Sequence, residues 1–238
     1  ITLDHPGKMN SIGSAMISEL ISVFSDLEGQ EDLRAVVISG AGSRAFVGGA
    51  FLPELHSLNP DSGRAFITSL HLAMQAIRDC PVPVIARMQG YCLGAGTELA
   101  AACDFRMADT TVIFGMPEVN VGLPSVIEAA LLPLLIGWGK TREMLLTGAN
   151  YKASEGLAMG FLESICEPEG LDEAVELRLA QILGAGPLAV RAQKKLINAW
   201  EEITPAEGIQ LGIDYLEETY RTDEPQRMMA PLINKTKP

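Results

Sequence analysis

The chain has 238 residues, 47% of them hydrophobic and 20% charged, and its 18 basic and 30 acidic side chains leave a formal net charge of −12. So apolar a chain is not disordered, and its length suits one domain with its own core and room for an appended subdomain. The acidic balance argues against a nucleic-acid binder, whose affinity rests on neutralising phosphates, and against an anionic membrane surface.

Cys80, Cys92, Cys103 and Cys166 form no CxxC pair, and His5, His56 and His71 show no zinc spacing. The expectation is a reduced, intracellular protein without a metal. No apolar run approaches the roughly 20 residues of a membrane span. Ile1 already falls in an expected strand, so the natural N-terminus, with any targeting segment, is expected upstream.

In chain order, Ile17, Leu20, Ile21, Phe24 and Leu27 recur at helical spacing between Ile12 and Gly29, which predicts an amphipathic helix stopped by glycine. Arg34 to Gly40 is a β-branched run that reads as a buried strand. A glycine bend at Gly48-Gly49 leads towards a second helix marked by Phe66, Leu70, Met74 and Ile77 and ended by Pro81-Val82-Pro83. The run VIARMQG gives the next strand, and Gly94 to Cys103 a helix of small residues that must pack closely on its neighbours. Short strands are expected at Phe105–Ala108 and Val112–Phe114, then an apolar helix from Leu131 to Ile136. After Phe161–Cys166 three helices follow without strands: Leu171–Leu183, Pro187–Trp200 and Pro205–Tyr220. The alternation in the first part predicts a mainly parallel α/β sheet covered by helices, with a helical appendage.

Glu98 sits among Ala95, Leu99, Ala100, Ala101 and Ala102, so no polar stripe exists for it to join. An ionised carboxylate buried there is costly and responds with a raised pKa. Taken alone it also fits a helix-start glutamate that reaches water or backbone N–H groups. Glu118 follows Pro117 after the strand-like VIFGMP, where crossover folds present side chains to a ligand crevice, although an exposed loop residue would look the same. Two carboxylates in apolar surroundings could divide general acid and base work.

The bends Val47-Gly48-Gly49-Ala50 and Leu93-Gly94-Ala95-Gly96 could offer unhindered N–H groups to an oxyanion. They are not nucleotide motifs, since the GxGxxG pattern is incomplete and no GK[ST] follows. Without a GxSxG, Ser125 is a poor candidate nucleophile.

Together HPGKMNS (His5–Ser11), SRAFVGGAFL (Ser43–Leu52), GYCLGAGTELAAACDFRMA (Gly90–Ala108) and FGMPEVNVGLP (Phe114–Pro124) resemble the enoyl-CoA hydratase/isomerase, or crotonase, family. The resemblance runs over nearly the whole chain. It implies a crotonase-like spiral of ββα units over residues 1–170 and a C-terminal helical oligomerisation region over 171–238, with a homotrimer or dimer of trimers. It implies oxyanion-hole N–H groups on Ala50 and Ala95 and two catalytic glutamates at Glu98 and Glu118. The glutamate pair implies hydration of a trans-2-enoyl-CoA to a 3-hydroxyacyl-CoA. Glu98 would orient and deprotonate a water for attack at C3, while Glu118 supplies the proton to C2. The pair shares protons, so the split is a matter of degree.

Leu52, Gly94 and Pro117 complete the implied substrate contacts, with Lys8 and Lys235 towards the CoA moiety. Coenzyme A is part of the substrate, and no separate cofactor is implied. The implied compartment is the cytoplasm, or an organelle matrix if an upstream segment carries that address.

Departures from the family pattern surround the acyl pocket. Gly49-Ala50-Phe51 stands for the usual G-A-D, Pro53 for a CoA-contacting lysine, and Ala95 for the commoner glycine. Ser125-Val126-Ile127-Glu128 replaces a glycine-rich stretch; Glu128 reads as a helix N-terminal carboxylate favoured by the dipole, or as a third acidic participant. Rival readings on the same enolate are isomerisation or epimerisation, and thioester hydrolysis is a third. A non-catalytic acyl-CoA-binding or RNA-associated member is the rival from a different class.

Overall fold

Each strand–strand–helix unit of the chain forms one turn of a spiral. The computed structural model describes residues 1–235, apart from the side chain of Lys235. β1 (Thr2–Leu3) and α1 (Ser14–Glu28) lead into β2 (Val36–Gly40) and β3 (Ala45–Val47), then α2 (Leu52–Ser57) and α3 (Pro60–Asp79). The next turn is β4 (Val84–Met88), β5 (Tyr91–Leu93) and α4 (Ala95–Ala102); the third is β6 (Phe105–Asp109), β7 (Ile113–Gly115) and α5 (Leu132–Thr147). β8 (Asn150–Lys152), α6 (Ala153–Met159) and β9 (Ser164–Cys166) close the core, followed by α7 (Leu171–Gly184), α8 (Pro187–Trp200), α9 (Pro205–Thr219) and α10 (Glu224–Lys235).

Every turn gives one strand to each of two sheets. One has the order β1-β2-β4-β6-β9, the other β3-β5-β7-β8. All pairings are parallel except β7 with β8. The mixed α/β fold with parallel sheets therefore follows the expected spiral.

Side-chain alternation shows why β4 is apolar from Val84 to Ala86, with Arg87 the one charged residue in it. Val84, Ala86 and Met88 face the main core, which α1, α3 and α4 also fill through Ile17, Leu20, Phe24, Leu70, Met74, Ile77 and Leu99. Ile85 points the other way and joins Met107, Leu171, Val175 and Ile182 of a second cluster beneath α7. A strand buried on both faces reads as continuous hydrophobics rather than as an alternation. α3 is the longest helix of the frame, and its start is fixed by Asn59, whose side chain accepts from the N–H groups of Asp61 and Ser62.

The C-terminal helices are tied to the core by two cations, of which Lys194 is buried. Lys194 of α8 donates to Val82 O at 3.0 Å and to Asp104 Oδ2 at 2.7 Å. Arg34 donates to Ala185 O at 2.8 Å at the end of α7, where a cation complements the helix dipole.

α5 is longer than the apolar run suggested. Gly137, at φ 73° and ψ 160°, breaks the helix internally, and the chain then resumes to Thr147. α2 and α6 are too short for periodicity to reveal them, and α10 carries Pro231 in its interior, which removes a helical hydrogen bond.

Candidate active site

Parallel register assembles the site. Val47 pairs with Cys92, and Cys92 in turn with Phe114, so the carboxyl ends of β3, β5 and β7 lie side by side. Ala50 follows the first of these ends, Ala95 the second and Glu118 the third. Ligands of open parallel sheets bind outside such carboxyl ends, where the crossovers diverge.

Backbone pairing directs the Ala50 amide. Residues 9–12 clamp the bend: Gly48 N–H donates to Met9 O at 2.8 Å, Ile12 N–H to Gly49 O at 2.9 Å and Phe51 N–H to Ile12 O at 2.8 Å. Ile12 thus brackets Ala50, whose own N–H points away from it and has no acceptor among the described residues. The clamp itself is held by Asn10, fully buried, which donates to Ala41 O at 3.0 Å and Ala45 O at 2.9 Å and accepts from His5 N–H at 2.9 Å.

The second amide opens α4. Ala95 is its first residue, so its N–H lies outside the intrahelical ladder, and it too has no acceptor among the described residues. Gly94 turns the chain into the helix at φ 51° and ψ −119°. A Cβ at Gly94 would stand 2.2 Å from Glu118 Oε1, and one at Gly96 2.3 Å from Val47 O. The two glycines of GAGTELAAA are therefore explained by close approach on two sides.

Both carboxylates are present at this junction. Glu98, in the first turn of α4, is only 5% exposed and accepts one hydrogen bond, from Ala129 N–H at 3.2 Å. Burial first, and then the charge of Glu118, push its pKa well above the usual carboxylate range, against the Ala129 N–H that lowers it. The helix N-terminus favours a carboxylate, but desolvation outweighs it.

Glu118 begins a 3₁₀ turn, Glu118–Val121, and is half-buried. Burial raises its pKa as well, opposed by its own backbone N–H and by Ser125, whose Oγ–H donates to Glu118 Oε2 at 3.0 Å. The charge of Glu118 disfavours ionisation of Glu98, so the site favours one carboxyl protonated over both ionised.

A cavity of about 380 Å³ opens beside these groups, lined by Ala50, Leu52, Gly94, Ala95, Glu98, Pro117 and Glu118. Its remaining wall is largely apolar, with Leu55, Phe66, Ile67 and Leu70 from α2 and α3 and Val121, Leu123 and Val126 from the loop after β7. Lys8 does not line it; it is exposed in the 3₁₀ turn Pro6–Lys8, next to Met9, which does. The side chain of Lys235 lies outside the described residues. The arrangement can polarise a carbonyl with two N–H groups while two carboxyls exchange protons beside it.

A larger cavity, of about 540 Å³, lies between α7, α8 and the far end of α4. Three of the cations on its wall are engaged in ion pairs, Arg78 with Glu201, Arg106 with Glu163 and Lys194 with Asp104. Among the described residues no cluster of three or more His, Cys, Asp or Glu is arranged to hold a metal ion, and no helix is long and apolar enough to cross a membrane.

Several participants escaped the sequence reading. Ser125, set aside as a nucleophile, is a hydrogen-bond donor to Glu118. Asn10 carried no visible signal beyond its place in the opening motif. Glu128 does fall in the first turn of a 3₁₀ helix, Ile127–Leu131, but its carboxylate is buried there rather than solvated.

A family model described as enoyl-CoA hydratase/isomerase matches residues 1–238. The short-chain-enoyl-CoA hydratase of Clostridium acetobutylicum is 29% identical over 238 residues, covering 100% of this chain and 91% of that protein. The crotonyl-CoA hydratase of Syntrophomonas wolfei is 28% identical over 236 residues, covering 99% and 91%. The crystal structure of an enoyl-CoA hydratase from Bacillus anthracis superposes with a TM-score of 0.94 at 29% identity, covering 100% of this chain and 92% of that one.

Proposed function

The chain belongs to the enoyl-CoA hydratase/isomerase family, and from that premise we propose that it adds water across the double bond of a trans-2-enoyl-CoA to give the 3-hydroxyacyl-CoA. The observation that carries this reading is the convergence of two carboxyls, Glu98 and Glu118, and two N–H groups without an acceptor among the described residues, of Ala50 and Ala95, on one apolar cavity.

The thioester oxygen accepts from Ala50 and Ala95 N–H, which strengthen their hold as the enolate develops. One such donor is worth about 3–4 kcal/mol. Conjugate addition needs a base for water and an acid for C2, which one shared proton on the carboxyl pair supplies. In the free protein the deeper burial of Glu98 draws that proton to it. Substrate covers the half-open Glu118 far more than the already buried Glu98, and the added desolvation raises Glu118 and moves the proton across. Glu98 then takes a proton from the water as its oxygen bonds C3, and Glu118 delivers its own to C2. The pair ends with the one proton it began with.

The wall formed by Phe66, Ile67, Leu70, Leu123 and Val126 suits an apolar acyl group. Coenzyme A enters as part of the substrate and no further cofactor is invoked. Lys8 is assigned to the CoA end by its place beside Met9 at the cavity, and Lys235 by the resemblance alone. Exposed Ile209, Ile213 and Leu216, spaced to share one side of α9, are assigned to contacts of a homotrimer or dimer of trimers.

Glu98→Gln and Glu118→Gln should each lower crotonyl-CoA hydration by at least about 10²-fold with the circular dichroism unchanged. Turnover near wild type in either variant overturns the assigned roles.

A further inference from the structure

One strap of chain, residues 125–129, supplies a hydrogen bond to each of the paired glutamates. Ser125 Oγ–H donates to Glu118 Oε2 at 3.0 Å and Ala129 N–H to Glu98 Oε1 at 3.2 Å. Between these two donors the backbone is strained. Ile127 stands at φ 43°, a conformation that a β-branched residue rarely adopts and that persists only where the surroundings over-determine it.

The next residue shows what holds it. Glu128 is 4% exposed, and its Oε1 lies 2.7 Å from His71 Nδ1 on α3. Its other oxygen, Oε2, is buried without a hydrogen-bond partner among the described residues. A carboxylate buried with half its acceptors unmet is a poor device for stability, because its desolvation is only partly offset. An apolar side chain would fill that place at lower cost. The 3₁₀ helix Ile127–Leu131 packs against both α3 and α4, so the His71–Glu128 contact fastens the strained strap to the frame beside Glu98.

We propose that His71 and Glu128 form a latch that positions the 125–129 strap, and through it the carboxyls of both Glu98 and Glu118. The proposal rests on the reading of those two glutamates as the acid–base pair. His71 and Glu128 are positioning residues: neither lines the cavity, so neither touches substrate. With the latch open, the strap relaxes at Ile127 and both donors move together. The chemical step slows, and because Val126 of the same strap lines the cavity, substrate binding weakens to a smaller degree.

The test compares His71→Leu with His71→Asn. His71 is 45% exposed, so either side chain is accommodated, and asparagine retains an N–H near the position of Nδ1. With crotonyl-CoA, His71→Leu should lower kcat by about tenfold with KM within about twofold of wild type, and His71→Asn should recover most of the loss. A fall in Tm with kcat unchanged would reduce the pair to a structural contact and overturn the proposal. Equal losses in both variants, or a loss confined to KM, would do the same.

Carboxyl ¹³C NMR of the full chain gives a readout independent of turnover. The Glu98 and Glu118 signals, assigned from their glutamine variants, should shift in His71→Leu and return in His71→Asn; signals that stay in place overturn the latch. A wild-type chain inactive on enoyl-CoA would instead count against the proposed reaction, and the NMR comparison would still decide the latch.

Discussion

Gly94→Ala loads the site at its tightest point. The added Cβ would lie 2.2 Å from Glu118 Oε1, where ordinary contact begins at 3.4 Å, so the carboxylate must retreat by about 1.2 Å. A misplacement of about 1 Å in a reacting group costs on the order of 10²-fold. Gly94 also holds φ 51° with ψ −119°, a combination L side chains avoid. If the backbone relaxes to escape it, the Ala95 N–H swings with it, and loss of one oxyanion donor costs about 10²–10³ in kcat.

Retained strain would lower stability by about 1–3 kcal/mol. At about 2–4 °C per kcal/mol for a chain of this size, Tm should fall by about 2–12 °C. Steady-state hydration of crotonyl-CoA and calorimetry read the two effects separately. Gly63→Ala is the control: it sits inside α3 with nothing within 4 Å of its Cβ position, so activity should hold and Tm rise slightly. A folded Gly94→Ala protein with kcat/KM within about fivefold of wild type would refute the geometry assigned to Glu118 and Ala95.

Two further outcomes follow from the carboxyl environments. Burial raises the folded-state pKa of Glu98 above its unfolded value, so its contribution to stability is fully present below the ordinary carboxylate pKa and is lost as pH rises through the folded one. Glu98→Gln, which keeps an acceptor for Ala129 N–H, should therefore raise Tm at about pH 8, with the gain vanishing near about pH 4; a pH-independent Tm difference would contradict this. Ser125→Ala removes a donor that favours the ionised Glu118, so the pair takes up its second proton at higher pH. The acid limb of the kcat/KM profile should move upward, and a limb that stays or moves down would contradict the assignment.

What the chain reveals of itself depends on how local each signal is. α1, α3 and α7 to α9 carry their own periodicity, and the sequence reading places them closely. β3 and β5 are three residues each, too short for any pattern, and only the glycine bends after them mark their ends. Glu98 and Glu118 stand out because charges in apolar runs are conspicuous. Their partners do not: the strap's hydrogen bonds depend on which way Ser125 and the Ala129 amide point, and Glu128 meets His71 across 57 residues of sequence. Asn10 sits in a recognisable motif, yet its three-carbonyl grip on residues 41–46 exists only after β3 has folded beside the opening loop.

The central claim is that these two carboxyls add water to a conjugated thioester. Its most direct test is the loss of enoyl ultraviolet absorbance when the protein meets crotonyl-CoA, with mass analysis of the product. The account predicts decay of the absorbance and a product heavier by one water. Unchanged absorbance with crotonyl-CoA and with longer and branched enoyl-CoAs, or a product of unchanged mass or with free CoA released, would contradict it.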